Sequence, residues 1–266
     1  MIINYTPLDL KPYINWTFFY LAWRVPPKSD EATQLRQDAE ELLNEWNPLT
    51  RIRTIFRLCQ AYADGDNLLI EQVRIPLLRQ QTPHADQSPY LCLSDFIKPI
   101  GSDEPDTVGV FAVTCETDTE QLYADDPYRK LMAQSLADRL AEAGTEKMHQ
   151  YVRRTAWGYA PHENLSISEL LKERYQGIRP AVGYPSLPDQ SVSFLLHQLL
   201  PVEEIGITFT ENGAMHPHAS VCGLMLAHPA SRYFMVGKIG EDQLEDYARR
   251  RGMTTDKMRK FLAANL

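Results

Sequence analysis

Several common signatures are missing from this 266-residue chain. No glycine-rich loop of the GxGxxG or Walker kind follows a strand-like segment, so ATP and nicotinamide cofactors have no motif to bind. No two of the cysteines, Cys59, Cys92, Cys115 and Cys222, stand at CxxC spacing. That removes the usual zinc and dithiol patterns, and the expectation is four reduced, buried thiols. No serine or cysteine occupies a nucleophile elbow. An excess of cations is missing too, with 27 Lys and Arg against 35 Asp and Glu and a net charge of -8. Such a surface repels phosphate backbones and excludes nucleic acid as a partner. The longest apolar stretch, 16–23, falls far short of the roughly 20 residues that a membrane-crossing helix needs. The opening 1–12 lacks the pattern of an export signal. These absences predict a cytoplasmic protein with no membrane partner.

What is present reads as an ordinary soluble core, with 44% hydrophobic and 23% charged residues. An aromatic segment at 13–23, with six aromatics in eleven residues, must pack against something. Leu35, Ala39, Leu42, Leu43 and Trp46 form one stripe on a helix over 31–46, with Asp30 as its cap. The runs 53–62 and 68–75 read as a hairpin turning at 63–67, and 107–114 as a buried strand. A long helix is predicted over 127–154, capped by Asp126, with Leu131, Leu136, Leu140, Ala143, Met148 and Val152 on its buried side. Ser166 and Glu169 form a capping box for a short helix that stops at Gly177. A helix over 190–200 precedes strands at 206–211, 220–227 and 232–239, and helices at 241–250 and 255–263 close the chain, broken by Gly252. Strands and helices do not alternate regularly, which points to an α+β fold with antiparallel pairing, in one domain over 1–266.

The most unusual stretch is 175–189, where three prolines and two glycines restrict the exit from a helix. It presents Arg179, a planar fork for a carboxylate or phosphate, and Tyr184, a flat face with a hydroxyl. On the residues alone it reads equally well as a small-molecule site or as a stiff connection. His216 and His218 flank Pro217 with no third ligand nearby and read as loop histidines, not a metal pair. Asp138 and Glu142 lie four apart on the long helix and read as solvated carboxylates unless a cation meets them.

The loop Arg179-Pro180-Ala181-Val182-Gly183-Tyr184-Pro185 resembles the signature of the activation domain of cobalamin-dependent methionine synthase. Tyr13-Ile14-Asn15-Trp16-Thr17 is similar to that domain's opening segment, and Ala137-Asp138-Arg139-Leu140-Ala141-Glu142-Ala143 to its long helix. Trp157-Gly158-Tyr159-Ala160-Pro161, Glu163-Asn164-Leu165-Ser166 and the run 242–250 resemble it in turn, so the likeness is collinear along essentially the whole chain.

The resemblance implies a C-shaped α+β fold: a twisted antiparallel sheet flanked by helices. It implies binding of S-adenosylmethionine, whose methyl group is presented to cob(I)alamin during reductive reactivation. Arg179 then resembles the residue that grips the ligand carboxylate, and Glu142 an acid near its amino-acid and sulfonium end. Ala181 would offer backbone contacts, and Tyr233-Phe234 resembles a Tyr-Tyr pair lining the site. Tyr184 resembles the tyrosine that approaches the corrin, and Asp138 an acid that meets the histidine released from cobalt. Asn15 stands where well-known members carry an Asp for the ligand ammonium, a change worth about 1–2 kcal/mol if a charged bond becomes neutral. Gln190 stands where a corrin-facing His often occurs.

The chain holds no Asp-x-His-x-x-Gly cobalamin motif, and the likeness leaves no length for homocysteine or folate domains. The expectation is a split system, with cobalamin on a separate methionine synthase polypeptide and a flavodoxin-like electron donor. The other reading is a module that clamps a corrinoid protein or senses S-adenosylmethionine without methyl transfer, which Asn15 and Phe234 favour.

Overall fold

In the computed structural model, which describes residues 1–83, 87–116 and 122–266, two long strands separate two cores. They are β2 (Arg51–Asp64) and β5 (Asp106–Glu116). Side chains on a strand alternate between faces. Ile55, Cys59, Ala61, Val108, Val110 and Ala112 enter one buried cluster; Ile52, Phe56, Phe111, Val113 and Cys115 enter the other. Burial on both faces explains why these strands read as apolar runs with little polar alternation.

β2 pairs antiparallel with β5 from Arg51↔Glu116 to Ala61↔Asp106. β1 (Ile2–Tyr5) joins the start of β2, while β3 (Asn67–Ile70) and β4 (Val73–Pro76) continue from its end. β6 (Thr208–Phe209) and β7 (Met215–His216) form a separate hairpin, and β8 (Ser220–Met225) returns to pair with β5. The main sheet is six-stranded and antiparallel throughout, in the order β4-β3-β2-β5-β8 with β1 beside β2.

Helices cover one face. α1 (Pro7–Leu10), α2 (Trp16–Ala22), α3 (Asp30–Trp46) and α4 (Pro127–Tyr151) pack there. The expected aromatic segment resolves into a 3-10 turn, Lys11–Tyr13, and α2, whose N-cap is Asn15. Ser29, not Asp30, caps α3, because its hydroxyl accepts from the Ala32 N–H. On α4 the buried stripe is Met132, Leu136, Leu140 and Ala143, spaced by four, four and three. Leu131 falls one position off that stripe and is 51% exposed, against expectation. Beyond α4 a π-helical turn, Val152–Ala156, carries Arg153 into the interior.

The second face is covered by the 175–189 loop, short helices and 3-10 turns. α5 (Ile167–Leu170) is shorter than the sequence predicts, since Glu173 takes a left-handed φ of 56°. The expected helix at 190–200 is a 3-10 turn, Gln190–Val192, followed by α6 (Ser193–His197), and it unwinds into tighter turns ahead of Pro201. The stretch 232–239 forms no strand and joins no sheet, a correction with a clear cause. The outer edge of β8 is already taken by the 178–182 segment. Val236 and Ile239 bond instead to Pro185 O and Asn265 O. They pack with α7 (Glu241–Arg251) and α8 (Thr255–Phe261) in a third apolar cluster. All four cysteines are buried and unpaired. Among the described residues no helix is long and apolar enough to cross a membrane.

Candidate functional site

The 175–189 loop is stitched to β8 like an extra, irregular strand. Ile178 N–H donates to Leu226 O (2.9 Å), Leu224 N–H to Pro180 O (3.0 Å) and Val182 N–H to Cys222 O (2.9 Å). This close approach requires Gly223, because a β-carbon there would sit 2.8 Å from Ala181 Cα and nearer still to Pro180 O. Alternation sends Ile178 and Val182 to one core and turns Ala181 towards the other, the side of α4. Arg179 shares the α4 side and reaches Glu146 on that helix.

The Arg179 guanidinium is 13% exposed. Its Nη2 meets Glu146 Oε2 at 2.5 Å, and its Nη1 donates to the Tyr175 hydroxyl and faces His149 Nδ1 at 3.4 Å. The Arg179 backbone N–H donates to the Tyr233 hydroxyl at 2.9 Å. Burial disfavours the guanidinium charge, but Glu146 and then Tyr175, Tyr233 and Glu142 together outweigh it and hold the group protonated. His149 is enclosed, and burial, with the Arg153 and Arg179 cations adding, pushes its pKa well below 6.5. It is therefore neutral, with Nδ1 as the acceptor towards Arg179.

Beside this cluster opens a cavity of about 610 Å³. Asn15, Glu142, Arg179, Ala181, Tyr233 and Phe234, the six residues assigned to a ligand from the sequence, all border it. Phe18 and Met235, 56% and 68% exposed, form part of its wall. The arginine is internally paired, yet it is not sealed off from solvent-accessible space. Asn15 Oδ1 already accepts from the Thr17 N–H at 3.2 Å, capping α2. Glu142 receives the Tyr184 hydroxyl. Burial first, and then the Glu142 charge, raise the Tyr184 phenol above its ordinary value.

Glu142 and Tyr184 also border a second cavity, of about 400 Å³. Asp138, Tyr184 and Gln190, the three residues assigned to a corrinoid partner, meet here. Asp138 is not simply solvated. Its Oδ1 lies 3.6 Å from Nδ1 of His218, which is 96% exposed. Burial raises the Asp138 carboxyl above the usual range, with His218 opposing.

Sequence reasoning missed Glu146, Glu173, Tyr175 and His149. A signal existed for two of them: Glu146 follows Glu142 by one helical turn, and Tyr175 precedes Arg179 within the same loop. Nothing in the sequence marks His149 as facing the loop, because only the packing of α4 on the sheet brings it there.

Fold and site together define an α+β module with a cavity that offers groups of both charge signs. The family model described as "Vitamin B12 dependent methionine synthase, activation domain" matches residues 8–252. A solved structure described as the MetH reactivation domain bound to AdoHcy matches with a TM-score of 0.93 at 38% sequence identity, over 100% of this chain and 90% of that one. The chain belongs to the family of vitamin B12-dependent methionine synthase activation domains. The antiparallel α+β fold expected from the sequence is the fold of that solved domain.

Proposed function

We propose that residues 1–266 act as one unit that holds S-adenosylmethionine in the 610 Å³ cavity and presents its methyl group to a cobalamin-bearing polypeptide docked against Tyr184. The observation that carries this reading is convergence. Residues far apart in sequence, from Asn15 to Phe234, border one cavity with Arg179 beside it. The AdoHcy bound to the 38% identical domain supports the same ligand class.

In this reading Arg179 uses donors not spent on Glu146, Tyr175 and His149 to take the ligand carboxylate. Phe234 and Ala181 line the wall, and Tyr233 braces the Arg179 backbone. Asp138, Tyr184 and Gln190 face the partner. The partner's corrinoid would supply the cobalt nucleophile that accepts the methyl group. This chain's task is then alignment and exclusion of water, not proton transfer.

Calorimetry with S-adenosylmethionine tests the first half, and mixing with a cobalamin-bearing synthase polypeptide and a reductant tests the second. We expect saturable binding that Arg179→Ala weakens by about 100-fold, the scale of a lost charge-assisted pair. We also expect recovery of the partner's activity only when both chains and the ligand are present. Ligand binding without any recovery would favour a sensing or clamping module, the reading to which Asn15 and Phe234 lend support.

A further inference from the structure

Tyr184 stands half-exposed at the tip of a tight turn. Within that tip the Gly183 N–H donates to Leu187 O (2.9 Å) and the Leu187 N–H to Tyr184 O (2.8 Å). Gln190 lies against the same tip. A β-carbon on Gly183 would sit 2.6 Å from Gln190 Oε1, and Gln190 Nε2 donates to Gly213 O at 3.2 Å. The residue before Gln190, where the loop re-enters the body of the protein, is Asp189. Its side chain is 1% exposed and borders neither cavity.

The Asp189 carboxylate accepts four hydrogen bonds. Its Oδ1 takes the Ser191 N–H (2.8 Å) and the Ser191 hydroxyl (2.7 Å), which caps the 3-10 turn Gln190–Val192. Its Oδ2 takes the Tyr247 hydroxyl (2.8 Å) and Arg251 Nε (3.2 Å). Burial first, and then the Asp189 charge, raise the Tyr247 phenol far above its ordinary value, so this hydroxyl is the donor. The Arg251 side chain is 3% exposed, and its Nη2 also donates to the Ser191 hydroxyl (2.7 Å) and to Ser191 O (3.1 Å). Tyr247 and Arg251 share one face of α7 with Gln243, at spacings of four. Gln243 secures the far end of that face. Its Oε1 accepts from the Arg79 N–H (2.7 Å) and its Nε2 donates to Arg79 O (2.9 Å). α7 thus braces the exit of the 175–189 loop against the chain just beyond β4.

Stability is a poor reason for this cluster, because a buried ion pair is often no more stable than apolar side chains of the same volume. What directed, charge-assisted bonds add is a single geometry. Asp189, Tyr247 and Arg251 border neither cavity, yet the chain they pin carries Tyr184 and Gln190, which border the second. Arg179 is held separately, by the bonds of 178–182 to β8 and by Glu146.

We propose that Asp189, Tyr247 and Arg251 are positioning residues, through which α7 fixes Tyr184 and Gln190 in the orientation that a cobalamin-bearing polypeptide docks against. This rests on the docking half of the function proposed above, and it assigns the C-terminal helix a part in docking without any contact to ligand.

The test uses the full chain. Asp189→Asn removes the charge and keeps the shape, and Tyr247→Phe removes one donor. Circular dichroism sets a temperature at which native and variant chains are all folded. Calorimetry with S-adenosylmethionine and surface plasmon resonance on an immobilised cobalamin-bearing synthase polypeptide are then run at that temperature. Partner affinity is expected to fall by about tenfold in Asp189→Asn and by about threefold or more in Tyr247→Phe, with ligand affinity changed by less than about twofold in either. A merely structural cluster would move both affinities together or neither, and either result overturns the proposal. Should Asp189→Asn fail to fold, Tyr247→Phe decides by the same split. Failure of the native chain to bind the polypeptide would instead sink the docking reading, and this inference with it.

Discussion

At His149 an imidazole is enclosed between the Arg153 and Arg179 guanidiniums and the rings of Tyr175 and Tyr159. Burial and the two cations depress its pKa in the folded state, whereas in the unfolded chain it titrates near 6.5. The sign follows directly. Above pH 6.5 both states hold a neutral imidazole and stability is unaffected; as pH falls below it, the unfolded chain takes up a proton that the folded chain refuses. His149 should therefore cost about 1.4 kcal/mol of stability per pH unit below that point, until its depressed folded pKa is reached. Urea unfolding of the native chain and of His149→Asn at pH 7.5, 6.5 and 5.5 checks this. The native stability should fall more steeply with acid than the variant's, and parallel slopes would mean that the imidazole is protonated in the fold. This residue was illegible in the sequence, because its role comes entirely from what surrounds it. The Pro/Gly-braced loop marks Arg179 as unusual, but its residues alone leave a ligand site and a stiff connection equally open, and only the family resemblance tips the balance. Its partner Glu146 lay hidden among several carboxylates of a helix with an ordinary surface pattern.

The elements divide in the same way. β2, β5 and α4 could be read from the sequence because β-branched, apolar runs and helical spacing express burial directly. The stretch 232–239 could not, since its composition suits a strand but the neighbouring edge is occupied by the 178–182 segment. A competition for a sheet edge has no signature in either competitor. Gly223 is the point on which that competition turns. A methyl group there must push the Pro180–Ala181 backbone away from β8, and overpacking of this kind typically costs about 1–3 kcal/mol. Gly223→Ala should lower stability by that amount and also loosen Arg179. Its loss of S-adenosylmethionine affinity in calorimetry should then exceed what partial unfolding explains at the same temperature. A variant that is less stable but binds normally would show that the loop keeps its course without the close approach.

At the scale of the molecule, large apolar side chains stand exposed around the larger cavity. Its lining carries Arg179, Glu146 and Glu142, and also Phe18, Met235 and Tyr184 at 56%, 68% and 48% exposure. Leu21, one turn along α2 from Phe18, is 58% exposed. Large apolar groups left in water cost stability or at best contribute nothing to it, so a cluster of them at the mouth of a cavity is more simply explained by a partner that covers it. Phe18→Glu and Met235→Glu, made separately, should leave thermal stability nearly unchanged, because neither side chain is part of a core. Each should weaken S-adenosylmethionine binding far less than Arg179→Ala does, since the guanidinium that would anchor the ligand carboxylate is untouched. Binding to a cobalamin-bearing synthase polypeptide should weaken by about tenfold or more, as expected for central apolar contacts replaced by a charge. Surface plasmon resonance with the immobilised partner reads this, with Leu49→Glu as the control, a residue 77% exposed that borders neither cavity. Equal weakening by all three substitutions would reflect net charge alone. Weakening confined to Phe18 and Met235 would mean that the partner closes over the cavity, completing a ligand site that this chain leaves open on one side.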